Sequence, residues 1–153
     1  MVGSKYDVVA AFSFGLPISS AVNRALNERA EVLSRRKKIA VMKETEFVLG
    51  LGWDDNKGAS KWVSSTLKFS KYLASKGFHN VLVVAALDHA PRCVRDLKKL
   101  GLKAEADNCF KDVGKLCYYA DSLQLFTRVR WRFLTREFII NLLPWWIYEK
   151  IAG

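Results

Sequence analysis

Hydrophobic residues along this chain fall into short unbroken runs, separated by longer stretches in which they recur every three or four positions. The runs are YDVVAAF at 6–12, KIAVM at 38–42 and NVLVVAA at 80–86, with the shorter LKAEA at 102–106. A run that is apolar at successive positions predicts a strand covered on both faces. Between the runs, Ser19 or Ser20 caps a helix to about Arg36, with Val22, Leu26, Ala30 and Leu33 turned inward. A second helix is expected at about 58–76, with Trp62, Val63, Thr66, Leu67, Phe69, Ser70 and Leu73 on one broad face and Gly77 at its end. A third runs over 91–100, with Pro91 in its first turn and Gly101 just past its end. Residues 121–142 read as a helix that Pro144 ends, followed by WWIYEKI as a short turn.

Two stretches are less regular. KETEFVLGLGWDDNKG reads mostly as loop, with an irregular strand at 46–49, because of its glycines and Asp54-Asp55-Asn56. A further strand is expected around KLCYYA at 115–120. Strands alternating with helices of ten or more residues predict an α/β fold, a mostly parallel sheet with helices on both faces in three layers. At 153 residues with no repeat or linker, the chain reads as one domain, 1–153, with 121–153 as a helical segment packed on it or extending from it.

Charge alters this otherwise ordinary picture. A net charge of +10, spread over both halves of the chain, favours anionic partners. Three cysteines, Cys93, Cys109 and Cys117, are an odd number without CxxC spacing. They argue against a disulfide framework or structural zinc and for a reducing compartment. Asp7 interrupts the apolar N-terminal run, which therefore reads as a strand and not as a signal peptide. The longest apolar stretch, FIINLLPWWI at 138–147, is too short to span a bilayer. A soluble, cytoplasmic protein is expected.

In open parallel sheets, ligands bind beyond the carboxyl ends of the strands. That rule selects the loops Ser13–Pro17, Lys43–Glu46 and Leu87–Arg92. His89 and Arg92 sit together in the last, next to Asp88 and just before a helix N-terminus. Unpaired amides, the helix dipole and a guanidinium there suit an oxyanion or phosphate, and the histidine suits proton transfer near neutral pH. The plainer alternative pairs Arg92 with Asp88 or Asp96. Cys93, four residues after His89, is open to a nucleophile reading, but its spacing equally fits a residue buried against the sheet. Arg24, in the first turns of the first helix, either reaches the pocket near Gly15 or lies on a solvated face. Arg128, Arg132 and Arg136 recur every four residues beside Trp131, with Trp145, Trp146 and Tyr148 nearby. This basic aromatic segment fits an anionic membrane surface, a nucleic acid or an amphipathic packed helix; the stripe Phe126, Val129, Phe133 and Ile140 favours packing.

The strand-loop-helix block VLVVAALDHAPRCVRDLKKLG resembles the SanA/YdcF-like family, a domain of unknown function with a Rossmann-like sheet and His-x-x-Arg after a core strand. His89, Arg92 and Gly101 carry the resemblance. Asp7 stands where the family has an Asp before its first strand, and Arg24 where it has an arginine on the first helix. The form here is divergent and shortened: Met42-Lys43-Glu44 replaces a Ser-Gly-Gly, and a Ser-x-x-Thr-x-x-Asn stretch falls on Ser60, Val63 and Thr66, so two of its three polar side chains are lost. The resemblance implies a tie to cell-envelope polysaccharide metabolism and, in one branch, S-adenosylmethionine as a bound cofactor. Together with the loops above, it places Asp7, Gly15, Arg24, Asp88, His89 and Arg92 around an anionic or nucleotide-like ligand: S-adenosylmethionine, a sugar nucleotide or a phosphate. Any chemistry falls to His89 as acid or base. The alternative is an interaction module built on the C-terminal segment, with a decayed pocket. A homodimer is compatible with the Trp-rich end, and nucleic acid or an anionic membrane surface ranks behind the small molecule.

Overall fold

The computed structural model of the chain describes residues 4–56, 65–107, 118 and 121–153. Four strands, β1 (Val8–Ala11), β2 (Ala40–Lys43), β3 (Asn80–Val84) and β4 (Lys103–Ala106), form an all-parallel sheet in the order β2-β1-β3-β4. Val8 lies opposite Ala40 on one side and Val81 on the other, so β1 and β3 fill the centre. Both central strands are apolar at successive positions because both faces are covered. Even-numbered residues of β1 (Val8, Ala10) and odd-numbered ones of β3 (Val81, Val83) meet Phe69, Leu73, Cys93 and Leu97. Their alternates Val9, Ala11, Leu82 and Val84 meet Val22, Leu26, Ala30, Leu33 and Phe133. The three-layer α/β sandwich expected from the alternation is the fold observed.

Helix α1 (Ala21–Lys37) starts where the Ser20 hydroxyl accepts from the Asn23 amide, and it buries the expected stripe of Val22, Leu26, Ala30 and Leu33. α3 (Thr66–Ser75) buries Thr66, Leu67, Phe69, Ser70 and Leu73, and Gly77 leaves it at φ 78°, a value that favours glycine. Ser60, Trp62 and Val63, expected on the same helix, lie outside the described residues. α4 (Ala90–Lys99) begins with Pro91 in its first turn, and Gly101 follows it at φ 86°.

Three expectations are revised. The strand at 46–49 is instead helix α2 (Glu44–Gly50), whose first turn carries Glu44 and Glu46 where the helix dipole favours negative charge. The helix at 121–142 is broken: Leu125–Thr127 form one 3₁₀ turn, Val129 is extended, and α5 spans only Arg130–Leu142. Ser122 Oγ donates to Leu16 O and bonds Thr127 Oγ1 at 2.6 Å, so side chains take up local hydrogen bonds that a continuous helix would otherwise supply. WWIYEKI is a full helix, α6 (Trp145–Ala152), held by Tyr148, which donates to the buried carboxylate of Asp96. The strand expected around KLCYYA falls outside the described residues apart from Tyr118, as do Cys109 and Cys117.

Ile140, Tyr148 and Ala152 pack on Leu67, which fixes the C-terminal helices to the sandwich. Leu73 is wholly buried between α3 and the sheet. Leu73→Ala should lower unfolding stability by about 2–5 kcal/mol, whereas exposed Leu51→Ala should change it by less than ~0.5 kcal/mol. Urea unfolding of the two variants measures the contrast.

Candidate functional site

The strand order reverses between β1 and β3: the chain leaves β1 for β2 on one side and β3 for β4 on the other. Such a switch point opens a crevice beyond the carboxyl ends of the two strands. The loops after β1 and β3 meet there around a small cavity of about 20 Å³, close to the least volume that holds a water. Ser13, Gly15, Ser65, His89, Arg92 and Arg136 contribute to its lining. Gly15 takes φ 70°, the left-handed conformation that a side chain disfavours.

Among the described residues Arg92 is the largest wholly buried side chain, 2 % exposed, yet it carries a permanent charge. Glu137 on α5 is its counter-charge, at 3.3 Å from Nε. The same carboxylate accepts from Arg136 Nη2 at 3.0 Å, so two arginines share one glutamate. Burial pulls the Arg92 guanidinium down, but the charges around it, Glu137 first, hold it above its usual value. Arg136 is lowered to about 10 by burial and by Arg92, and stays protonated at neutral pH. Its guanidinium lies 4.6 Å from the centre of the Phe133 ring. Arg92 Nη2 donates to His89 Nδ1 at 3.3 Å. Arg92 Nη1 finds no hydrogen-bond acceptor among the described residues, and Nε faces Glu137 without hydrogen-bond alignment.

The arginine settles the state of His89. A guanidinium only donates, so Nδ1 must be the lone-pair nitrogen, and the proton sits on Nε2, 3.3 Å from Thr66 Oγ1. Burial, then Arg92 and Arg136, hold the ring well below the usual histidine range and keep it neutral. Both ring nitrogens are engaged. Cys93 is packed in the core, its thiol pushed well up by burial, which removes the thiolate that a nucleophile needs.

The helix N-terminus offers less than the sequence suggested. His89 and Ala90 amides both donate to Ala86 O, the Arg92 and Cys93 amides to His89 O, and Pro91 has none. An anion in this cavity would be held by side chains. Arg92 pairs with neither Asp88 nor Asp96: Asp88 accepts from Arg130 and from Tyr118, and Asp96 from Arg95 and Tyr148.

Of the six expected ligand-binding residues, Gly15, His89 and Arg92 come together at the cavity. Asp88 adjoins them but is turned to Arg130, 2.8 Å away. Arg24 is exposed and donates to Ser19 O at 2.6 Å, because the phase that turns Val22 and Leu26 inward turns Arg24 out. Asp7 lies at the amino ends of the strands, where its carboxylate takes the amides of His79 and Asn80 and is thereby held below the ordinary aspartate range.

Four contributors escaped the sequence reading. Asn23, one residue before Arg24, accepts from Phe14 N at 2.7 Å and shapes the first loop. Glu44, fully buried at the carboxyl end of β2, accepts from Ser13 N, Ser13 Oγ and Ser65 Oγ, at 2.8, 2.9 and 2.6 Å. Burial pushes its carboxyl up against these donors and Arg92, which pull it down. Arg136 and Glu137 were legible in principle, since they lie between Phe133 and Ile140 on the face that those residues bury.

His89 imposes a pH dependence on folding. Its folded value is depressed, so below the ordinary histidine range the unfolded chain binds a proton that the native chain refuses, and stability falls as pH falls. The wild type should lose up to about 1.4 kcal/mol per pH unit on this account below ~6.5. Urea midpoints measured from pH 7.5 downward should show a shallower decline for His89→Gln. No family model, curated protein or solved structure matches this chain, so the arginine-lined cavity is read from its own chemistry.

Proposed function

We propose that the chain binds a small anionic ligand at the β1–β3 switch point, with the Nη1 end of Arg92 as the group that takes the anion. One observation carries this reading: a wholly buried guanidinium that lines a cavity and leaves hydrogen-bond donors unmatched. A buried donor without an acceptor costs about 1–3 kcal/mol, more when charged.

The cavity volume supports entry of one oxygen-sized group, so a phosphoryl or carboxylate head group would present an oxygen to Arg92 while the rest of the ligand stays at the mouth. Sugar phosphates, sugar nucleotides and S-adenosylmethionine all carry such a group, and the resemblance to the SanA/YdcF-like family favours the last two. On this reading His89 is a positioning residue. Its neutral ring takes one Arg92 hydrogen bond and aims the other arm of the fork at the cavity.

Thermal unfolding would be followed with inorganic phosphate, glucose 6-phosphate, uridine diphosphoglucose and S-adenosylmethionine at matched ionic strength. A binding probe at a hundred times its dissociation constant should add about 2.7 kcal/mol and raise the midpoint by several degrees. Arg92→Lys keeps the charge but lacks the planar fork, and should lose most of that shift. A folded wild type unmoved by all four probes overturns the proposal. So does a shift that a folded Arg92→Lys variant keeps in full, because the anion would then sit elsewhere.

A further inference from the structure

Helix α5 carries two apolar faces, and only one of them is buried. Phe133, Arg136, Glu137 and Ile140 turn inward. Trp131, Leu134, Phe138 and Leu142 recur three or four residues apart, so they share the opposite face. All four are exposed, Phe138 by 65 % and Leu142 by 68 %. Among the described residues, ten of the thirteen large exposed hydrophobics lie in 123–151. Trp146, 69 % exposed, adds a further exposed aromatic on α6, just past Pro144. Concentration of this kind marks an interaction surface, where scattered exposed residues would need no explanation.

Charge selects the occupant. Arg128, Arg130, Arg132 and Lys150 are exposed in the same segment, and the Arg132 guanidinium lies 5.4 Å from the centre of the Trp131 ring. The only acid on α5, Glu137, is buried beneath it. Arg136, expected to continue the basic stripe, faces inward and leaves Arg128 and Arg132 at its outer edge. A second copy placed symmetrically on this face would set arginines against arginines. Exposed aliphatic side chains such as Leu134, Ile139 and Leu142 suit hydrocarbon better than the stacking and phosphate contacts of a nucleic acid. No helix among the described residues is long and apolar enough to cross a bilayer. A helix with tryptophan and aliphatic residues on one side and cations beside them, but no exposed acid, lies along the interface.

We infer that the outer face of α5, with Trp146, docks on an anionic lipid surface: its aromatic and aliphatic side chains enter the headgroup boundary and its arginines meet lipid phosphate. The inference stands independently of the anion site, since none of these residues lines the cavity.

Co-sedimentation of the full chain with phosphatidylcholine vesicles, with and without phosphatidylglycerol, tests it. Binding should require the anionic lipid and weaken with salt, and tryptophan emission should shift to the blue. The double variant Trp131→Ser/Phe138→Ser changes only exposed side chains and should cut partitioning at least about tenfold. Arg132→Gln should cut it about fivefold. A folded wild type left in the supernatant with anionic vesicles overturns the inference, as does equal, salt-insensitive binding to neutral ones. A concentration-dependent dimer that the double variant dissolves, without vesicle binding, overturns it in favour of a second copy. Retention on single-stranded RNA lost in the same variant, again without vesicle binding, overturns it in favour of nucleic acid.

Discussion

A permanent charge sits in the interior of this molecule, almost wholly out of reach of bulk solvent, and much of the surrounding structure is arranged around it. Arg92 cannot neutralise itself by losing a proton, so it must be paired and hydrogen-bonded where it lies. Glu137 supplies the counter-charge from the far end of the chain, and His89 supplies a lone pair from the preceding turn. Thr66 in turn engages the other histidine nitrogen. The loop after β3, the start of α3 and the middle of α5 are thus tied to one guanidinium.

A buried carboxyl organises the neighbouring loops. Glu44 stands at the end of β2 and gathers the amide and hydroxyl of Ser13 and the hydroxyl of Ser65. Asn23 completes the first loop by accepting the Phe14 amide. Polar side chains with specific partners therefore support the loops that line the cavity, where Gly15 takes a left-handed conformation and Leu16 and Pro17 are joined by a cis bond. This division of labour explains why the helix N-terminus contributes little: its amides are spent on the turn that delivers His89.

The sheet was legible because β1 and β3 are apolar at successive positions, a pattern that only a doubly covered strand needs. Helix ends marked by Gly77 and Gly101 were legible for an equally local reason. The loop bearing His89 and Arg92 was legible because parallel strands expose their carboxyl ends to ligands. Asp7 was misplaced although chain direction held the answer: a residue that precedes β1 and one that follows β3 lie at opposite ends of a parallel sheet. The partner of Arg92 was hidden for a different reason. Glu137 is supplied by another helix, and spacing along a chain says nothing about which distant elements meet. Helix α2 was hidden by Gly50 and Gly52 at its end and by the polar run after it, which outweighed two glutamates well placed for a first turn.

Helix α5 is the wall between two environments. Its inner side carries Arg136, which lines the cavity, and Glu137, which pairs with Arg92 and Arg136, and its outer side carries the row from Trp131 to Leu142. Were a ligand in the cavity to displace α5, the outer row would move with it, and by linkage an occupant of that outer row would alter affinity in the cavity by the same factor.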